Sequence, residues 1–297
     1  MTTVAYCSPF VPPEWILAHG FVPERIVPSI GAGPSELAGM QGLCPYAGAF
    51  AENLMRRKDR AVVAASTCDQ MRRVAQLLQA RGGFPVFVLN VPASWQTVNA
   101  HRMYRSELER LGRFLVRLGG TPPASAELAD LLLEHDARRS LDAGRQRVQA
   151  GRVPLALLGS PLCKEQLRIE EIIEEAGGTV VLDGTDGGDR TMPGRLDRRA
   201  VRGDPLSALA DAYFGALPDA FRRPNYPLYA WLAAETRARG VRGVVFAWQT
   251  WCDVWHAELP RLVEWSRVPV LGLQLAGTGD DGARSRARIE AFLEVLR

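Results

Sequence analysis

Lysine is nearly absent from this sequence. The chain contains 36 basic and 33 acidic residues, and only Lys58 and Lys164 among the basic ones are lysines. The resulting net charge of +3 is too balanced to indicate a nucleic-acid surface. Genomic base composition explains the arginine excess better than a special role, although arginine also suits bidentate contacts with phosphate and carboxylate.

Long apolar runs and closely spaced cysteine pairs are also missing. No run approaches the roughly 20 apolar residues that span a bilayer, and residues 1–7 lack the basic segment of a secretory signal. An odd number of widely spaced cysteines fits a reducing compartment better than secretion. The five cysteines are Cys7, Cys44, Cys68, Cys163 and Cys252. We therefore expect a soluble cytoplasmic protein with no membrane or nucleic-acid partner.

Strand-like and helix-like segments alternate in both parts of the chain, and 297 residues with 47% hydrophobic content can bury a full core. This alternation predicts an α/β fold with two Rossmann- or flavodoxin-like parallel-sheet domains. The predicted units are an N-terminal α/β domain at 1–118, a helical connector at 119–151 and a C-terminal α/β domain at 152–297. The predicted strands are 3–6, 25–30, 61–65, 85–89, 155–158, 179–182, 244–248 and 268–275. Residues 184–205, rich in Gly, Asp and Arg, are predicted to form a mobile loop.

Two distant segments carry the same corner motif, [Ser/Thr]-x-Cys-Asp. Ser66-Thr67-Cys68-Asp69 and Thr250-Trp251-Cys252-Asp253 each follow an apolar strand and precede helix-forming sequence. In open α/β sheets, ligands bind at the carboxyl ends of the strands. We expect the two aspartates to be helix N-caps, and we expect the helix N-termini to lower the pKa of both thiols.

A third cysteine has a similar setting. Pro45 at the first position of a predicted helix makes Cys44 its N-cap. Three cysteines at helix N-termini on separate loops match the protein ligands of a [4Fe–4S] cluster with one iron left open. A structural zinc site is less favoured because the chain has no Cys-x-x-Cys pair. The sequence therefore predicts Cys44, Cys68 and Cys252 as the metal and cofactor ligands, between the two α/β domains.

The remaining cysteines and the histidines have simpler interpretations. Buried cysteine is usually an inert small hydrophobe, so Cys163 is expected to be structural. Cys7 could be an extra ligand, but a structural or supporting role is favoured. A cysteine-dependent hydrolase would need a histidine partner, and only His256, four residues after Cys252, has a suggestive position. The other histidines are His19, His101 and His135.

These motifs resemble a known family. Gly42-Leu43-Cys44-Pro45-Tyr46, residues 66–73 and residues 250–253 are similar to the cysteine motifs of the 2-hydroxyacyl-CoA dehydratase family, which also contains benzoyl-CoA reductase subunits. The similarity extends to residues 6–14, to Gly159-Ser160-Pro161 with residues 169–178, and to the closing helix at 284–296. It covers nearly the whole chain.

The resemblance implies a lyase that removes water from a 2-hydroxyacyl-CoA by anaerobic radical chemistry. An ATP-hydrolysing activator protein with its own iron–sulfur cluster would deliver one low-potential electron to the [4Fe–4S] cluster on the three cysteines. The substrate would then form a ketyl radical anion and lose its hydroxyl group. The resemblance also implies a related second subunit or a homodimer.

Two departures from the family weaken assignment to a subclass. The chain is shorter than many members, and residues 184–190 lack a cysteine expected from many relatives. One alternative is therefore an ATP-driven low-potential reductase subunit of the benzoyl-CoA type. Another is a non-catalytic electron-transfer subunit. An open, substrate-sized cavity beside the sulfurs would favour an enzyme, and a closed apolar environment would favour a carrier.

Overall fold

The computed structural model describes residues 2–31, 37, 42–57, 60–142, 151–277 and 281–297. The strands in these ranges are β1 (Thr3–Tyr6), β2 (Val22–Arg25), β3 (Arg60–Ala65), β4 (Val86–Leu89), β5 (Val153–Gly159), β6 (Gly178–Gly184), β7 (Gly243–Gln249) and β8 (Val270–Leu275). They form two four-stranded sheets with the orders β2-β1-β3-β4 and β6-β5-β7-β8. Every pairing is parallel. The predicted α/β class with two parallel sheets is confirmed.

Helices alternate with the strands. The α-helices are α1 (Pro13–Ala18), α2 (Pro45–Met55), α3 (Asp69–Arg81), α4 (Val98–Arg117), α5 (Ser125–Asp142), α6 (Arg168–Glu175), α7 (Arg198–Gly203), α8 (Pro205–Ala210), α9 (Tyr226–Ala238), α10 (Asp253–His256), α11 (Glu258–Trp265) and α12 (Asp281–Leu296). None of the helices described is both long and apolar enough to cross a bilayer.

Each sheet is covered on both faces, because successive side chains of a strand point to opposite sides. In the first sheet, Val63 packs in an apolar cluster with α1 and α4, and Val62 packs in another with α2 and α3. In the second sheet, Leu157 packs with α6 and α12, and Leu158 packs with α9 and α11. Both sheets are therefore doubly wound.

The strand orders locate the crevice of each sheet. In each order the chain changes direction between the two central strands, β1 and β3 in the first sheet and β5 and β7 in the second. Ligands of doubly wound sheets bind at this switch point, beyond the carboxyl ends of the strands. Cys7 and Cys68 follow β1 and β3, while Ser160 and Cys252 follow β5 and β7. Both switch points therefore carry polar or thiol side chains.

The second strand lies earlier than the predicted 25–30. β2 pairs with β1 from Thr3↔Val22 to Tyr6↔Arg25. The carbonyl of Pro28 accepts a hydrogen bond from the amide of Lys164 (2.9 Å), so this segment leaves the first sheet and contacts the second half of the chain. Proline has no amide to continue a ladder, which explains why the apolar residues at 26–30 do not extend the strand.

The prediction of a mobile loop at 184–205 is wrong. This segment contains a 3₁₀ turn at Asp189–Thr191 and helix α7, and Arg190 within it is fully buried. Helices α7 and α8 and the π-helix at Asp211–Gly215 pack into the apolar cluster of the first sheet. The domain limits at 118 and 152 stay a prediction, and residues 143–150 of the predicted connector lie outside the described residues.

Candidate functional site

All three predicted cysteines line one cavity of about 160 Å³. Cys44 and Cys68 belong to helices of the first sheet, and Cys252 follows β7 of the second. The cavity therefore lies where the carboxyl ends of the two sheets meet. The structure brings together the residues that the sequence selected, and their role as metal ligands stays a prediction.

The cysteines themselves occupy the N-cap positions of three helices, as predicted for Cys44 of α2. Cys68 caps α3, where its sulfur accepts a hydrogen bond from the Met71 amide (3.4 Å), and Cys252 caps α10. The prediction that Asp69 and Asp253 are the caps is wrong. The extended backbone of Cys68 directs its side chain toward the open amides, and Asp69 is the first helical residue.

Burial raises the pKa of all three thiols. It raises the pKa of Cys44 to about 11, although amide hydrogen bonds from Ala47 and Tyr46 partly offset this effect. Burial also raises the pKa of Cys68 and Cys252. The predicted lowering by helix N-termini exists but is smaller than the desolvation penalty. Burial therefore favours the neutral thiol over the thiolate at all three positions.

The thiols of cysteine are sulfur donors that this cavity offers. Within the described ranges, no three His, Cys, Asp or Glu side chains are close enough to hold one metal ion. A [4Fe–4S] cluster binds each thiolate to a different iron, so its ligands do not converge on one point. Thiol donors are also the soft ligands that iron–sulfur clusters use. The residues present fit such a cluster.

Gln70 fastens the loop of Cys44 to the helix of Cys68. Its side-chain oxygen accepts a hydrogen bond from the Cys44 amide (3.1 Å), and its side-chain nitrogen donates to the Gly42 carbonyl (3.2 Å). Both ends of one amide thus bind the same loop. In the sequence, the only signal for this role of Gln70 is its proximity to Cys68.

Comparison with family models identifies the chain. The model described as 2-hydroxyglutaryl-CoA dehydratase, D-component, matches residues 8–141 and 119–296, which together span nearly the whole sequence. The chain belongs to this family. The resemblance noted from the motifs is confirmed, and membership supports a 2-hydroxyacyl-CoA dehydratase-like subunit with a lyase role. No curated protein matches the sequence significantly.

In this dehydratase-family chain, a buried pair of glutamines lies beside the corner that carries Cys252. Gln249, at the end of β7, donates to the Pro161 carbonyl (3.0 Å) and exchanges hydrogen bonds with Gln166. Gln166 in turn accepts from the Cys163 amide (2.9 Å). The Cys163 side chain is fully buried and packs in one apolar cluster with Cys7 and Cys44, and it is not part of the cavity wall among the described residues. Its structural role stays a prediction.

An ion-pair network behind the cavity was also missed. Asp186 and Asp219 line the cavity, and the guanidinium of Arg190 bonds to both carboxylates. Arg190 also donates to the Gly184 carbonyl (2.8 Å). Burial raises the pKa of Asp186, while Arg190 opposes that shift. The polar composition of residues 184–205 predicted a loop rather than a buried ion-pair network.

The histidines do not support a cysteine hydrolase. His256 stacks on Trp248 with ring centroids 5.3 Å apart, and His101 bonds to Asp211 (2.9 Å). Among the described residues that line the cavity there is no histidine. The rim instead carries Trp251, which has a left-handed backbone (φ 66°) and is 59% exposed. Strained backbone of this kind clusters at functional sites.

Proposed function

We propose that this chain is the iron–sulfur subunit of a 2-hydroxyacyl-CoA dehydratase, with a [4Fe–4S] cluster held by Cys44, Cys68 and Cys252. The observation that carries the proposal is that these thiols, from both halves of the chain, line one cavity. Membership in the D-component family supports the reaction class. The partners would be an acyl-CoA substrate, an ATP-dependent activator with its own cluster, and a related subunit or second copy.

When bound, the cluster would supply one low-potential electron to the substrate thioester, so that a ketyl radical can lose its hydroxyl group. The chain's own residues prepare this environment. Amides at the starts of α2, α3 and α10 face the cysteine sulfurs and partly offset the rise in their pKa that burial causes. Aromatic side chains of Phe10, Phe221 and Trp255 contribute apolar wall to the cavity.

The volume of the cavity bears on whether the chain is a catalytic subunit or an electron-transfer subunit. Its volume of about 160 Å³ is below the roughly 300 Å³ of the smallest typical ligand pockets. The CoA portion of a substrate must therefore lie outside it. This small volume is the observation that favours the second candidate, a non-catalytic electron-transfer subunit.

Anaerobic reconstitution tests the proposal. We expect about four irons per chain and a brown chromophore, and each of Cys44→Ala, Cys68→Ala and Cys252→Ala should lose most of the iron. Cys163→Ala is the matched control, because it removes a buried thiol outside the cavity wall, and it should keep the iron. A wild-type protein that takes up no iron would overturn the proposal.

Activity separates the candidate reactions. The reconstituted protein would be incubated with a low-potential reductant and a panel of 2-hydroxyacyl-CoA and aryl-CoA thioesters. Formation of enoyl-CoA indicates a dehydratase, whereas reduction of an aryl-CoA indicates the reductase alternative. A stable cluster with neither activity, also after addition of a cognate activator, indicates the electron-transfer role.

A further inference from the structure

A second, larger cavity lies next to the glutamine pair. Its volume is about 400 Å³, within the roughly 300–1,000 Å³ that is typical of ligand pockets. Gln166 lines this second cavity, and its hydrogen-bonded partner Gln249 lines the cysteine cavity. The two cavities are therefore neighbours on either side of the glutamine pair. Ile30 brings the first half of the chain into the same wall.

The N-terminus of α12 opens into the second cavity. Gly282 and Ala283 in its first turn line the cavity, and neither amide has an acceptor among the described residues. Such amides carry partial positive charge and bind phosphate groups. Residues 277–282, which link β8 to α12, also have the glycine spacing G-x-G-x-x-G. This spacing between a strand and a helix is typical of phosphate-binding segments.

A buried hydroxyl group also faces the second cavity. Ser285, one turn further along α12, lines the cavity and is only 5% exposed. Its hydroxyl forms no hydrogen bond with any other residue that the structure describes. Buried polar groups are almost always hydrogen-bonded, because leaving one unpaired costs free energy. The Ser285 hydroxyl therefore points, independently of the helix N-terminus, to a ligand with hydrogen-bonding atoms.

Two arginines of the wall can supply positive charge. Arg168 lies 3.5 Å from Glu171, and Arg286 lies 2.5 Å from Glu175. All four side chains are at least 40% exposed, and exposed ion pairs of this kind are weak. Both guanidinium groups can therefore exchange a carboxylate for a phosphate, which arginine binds in a bidentate manner.

The rest of the wall is mainly apolar. Ile169, Ile172 and Leu275 present aliphatic surface on which a flat ring such as adenine can pack. Glu165 is the one acidic residue in the part of the wall that the structure describes. Its carboxylate accepts hydrogen bonds from the Ser29 hydroxyl and from the amide of the next residue. Those bonds hold its charge against the first half of the chain.

We propose that the second cavity binds the adenine-nucleotide end of the acyl-CoA substrate, with the phosphates at the α12 N-terminus and the two arginines; this rests on the proposed function. The cysteine cavity, of about 160 Å³, is too small for the CoA portion of the substrate. The acyl end would lie beside the cysteines, and the flexible pantetheine arm would join the two cavities.

Titration calorimetry of the full-length chain with CoA tests this assignment. The double variant Arg168→Gln, Arg286→Gln should raise the Kd for CoA about tenfold or more, because it removes charge-assisted hydrogen bonds to phosphate. Arg288→Gln is the matched control, since it removes an exposed arginine of the same helix that does not line the cavity. It should leave the Kd unchanged. Pantetheine, which lacks the nucleotide, should bind far more weakly than CoA.

The outcomes separate this proposal from the proposed function. Equal Kd values for the double variant and Arg288→Gln would overturn the CoA site, and so would ATP binding as tightly as CoA. If the double variant does not fold, Ser285→Ala decides, and it should weaken CoA binding several-fold. Iron uptake is measured separately in the same proteins. Iron uptake without arginine-dependent CoA binding overturns the CoA site alone, whereas absence of iron overturns the proposed function.

Discussion

Two arginines lie almost entirely inside the protein, and they differ in how completely their donors are paired. Arg190 is 1% exposed and bonds to two carboxylates and two carbonyls. Arg222 is 2% exposed and donates to the Leu217 carbonyl (2.8 Å), whereas its Nε and one terminal nitrogen have no partner in the described structure. Its guanidinium lies 5.0 Å from the rings of Trp95 and Phe214.

Replacing each arginine by methionine should therefore have unequal effects. Arg190→Met leaves two buried carboxylates without their cation and should destabilise the protein by about 3–5 kcal/mol. Arg222→Met removes unpaired donors along with one hydrogen bond and two ring contacts, so its stability should stay within about 1 kcal/mol of wild type. Urea denaturation measures both. Equal destabilisation would show that pairing is not the deciding factor.

A buried histidine makes stability depend on pH. Burial lowers the pKa of His19, despite a hydrogen bond with the Trp15 carbonyl. The unfolded chain keeps the ordinary value of about 6.5, so below it the unfolded state binds more protons than the folded state. The stabilising contribution is present above that value and is lost as pH falls through the folded pKa.

Comparison with a variant isolates this contribution. His19→Gln retains a hydrogen-bond donor but does not titrate. We expect the free energy of unfolding of wild type, measured in urea, to fall more steeply between about pH 7 and pH 5 than that of the variant. Parallel pH profiles for the two proteins would contradict the assignment.

At the scale of elements, one glycine allows two strands to approach where β5 ends. Gly159 has φ +147°, and a Cβ there would lie 1.8 Å from the carbonyl oxygen of Ala247 on β7. Gly240 also has a positive φ (+63°), but a Cβ there would meet nothing within 4 Å. Comparing Gly159 with Gly240 therefore separates the effect of a steric clash from the effect of a positive φ.

Gly159→Ala should either prevent folding or destabilise the protein by about 4 kcal/mol or more. Gly240→Ala should incur only the left-handed backbone penalty of about 1–2 kcal/mol. Soluble yield and urea denaturation provide the measurement. If both variants lose the same stability, the close approach of β5 and β7 is not essential.

The corners that hold the cysteines could be predicted because their signals are local. Apolar strands, Pro45 at a helix start and the repeated Cys-Asp motif all act within a few residues, and they placed Cys44, Cys68 and Cys252 correctly in the fold. The identity of the caps was less clear, because cysteine is a rarer cap than aspartate. Which side chain accepts a hydrogen bond from the helix amides at each corner depends on the backbone conformation. The sequence pattern does not show that conformation.

The missed features depend on contacts between distant segments. Helices α7 and α8 are short, and their apolar residues pack on the first sheet, more than 100 residues earlier in the chain. Arg190 likewise looks solvent-exposed until Asp219 supplies its partner. Polar composition indicates a loop only when no distant partner covers the charges.

At the scale of the whole molecule, the two halves of the chain already make direct contacts. Glu165, from the second half, accepts a hydrogen bond from the Ile30 amide (2.9 Å). Glu14 of α1 accepts from the Tyr213 hydroxyl (2.8 Å), which anchors the α8 region to the first sheet. The cysteine cavity is a further junction, since its wall draws on residues of both halves.

A cluster on the three cysteines would therefore join the halves and stabilise the whole fold, because it binds the folded state alone. Reconstitution should raise the Tm of wild type by roughly 5 °C or more. The Cys252→Ala variant should lose most of this gain, since only Cys44 and Cys68 of the first half remain. Cys163→Ala should keep it. Calorimetry under anaerobic conditions measures the Tm of each of the three proteins before and after reconstitution, and an undiminished gain in Cys252→Ala would show that the cluster does not connect the two sheets.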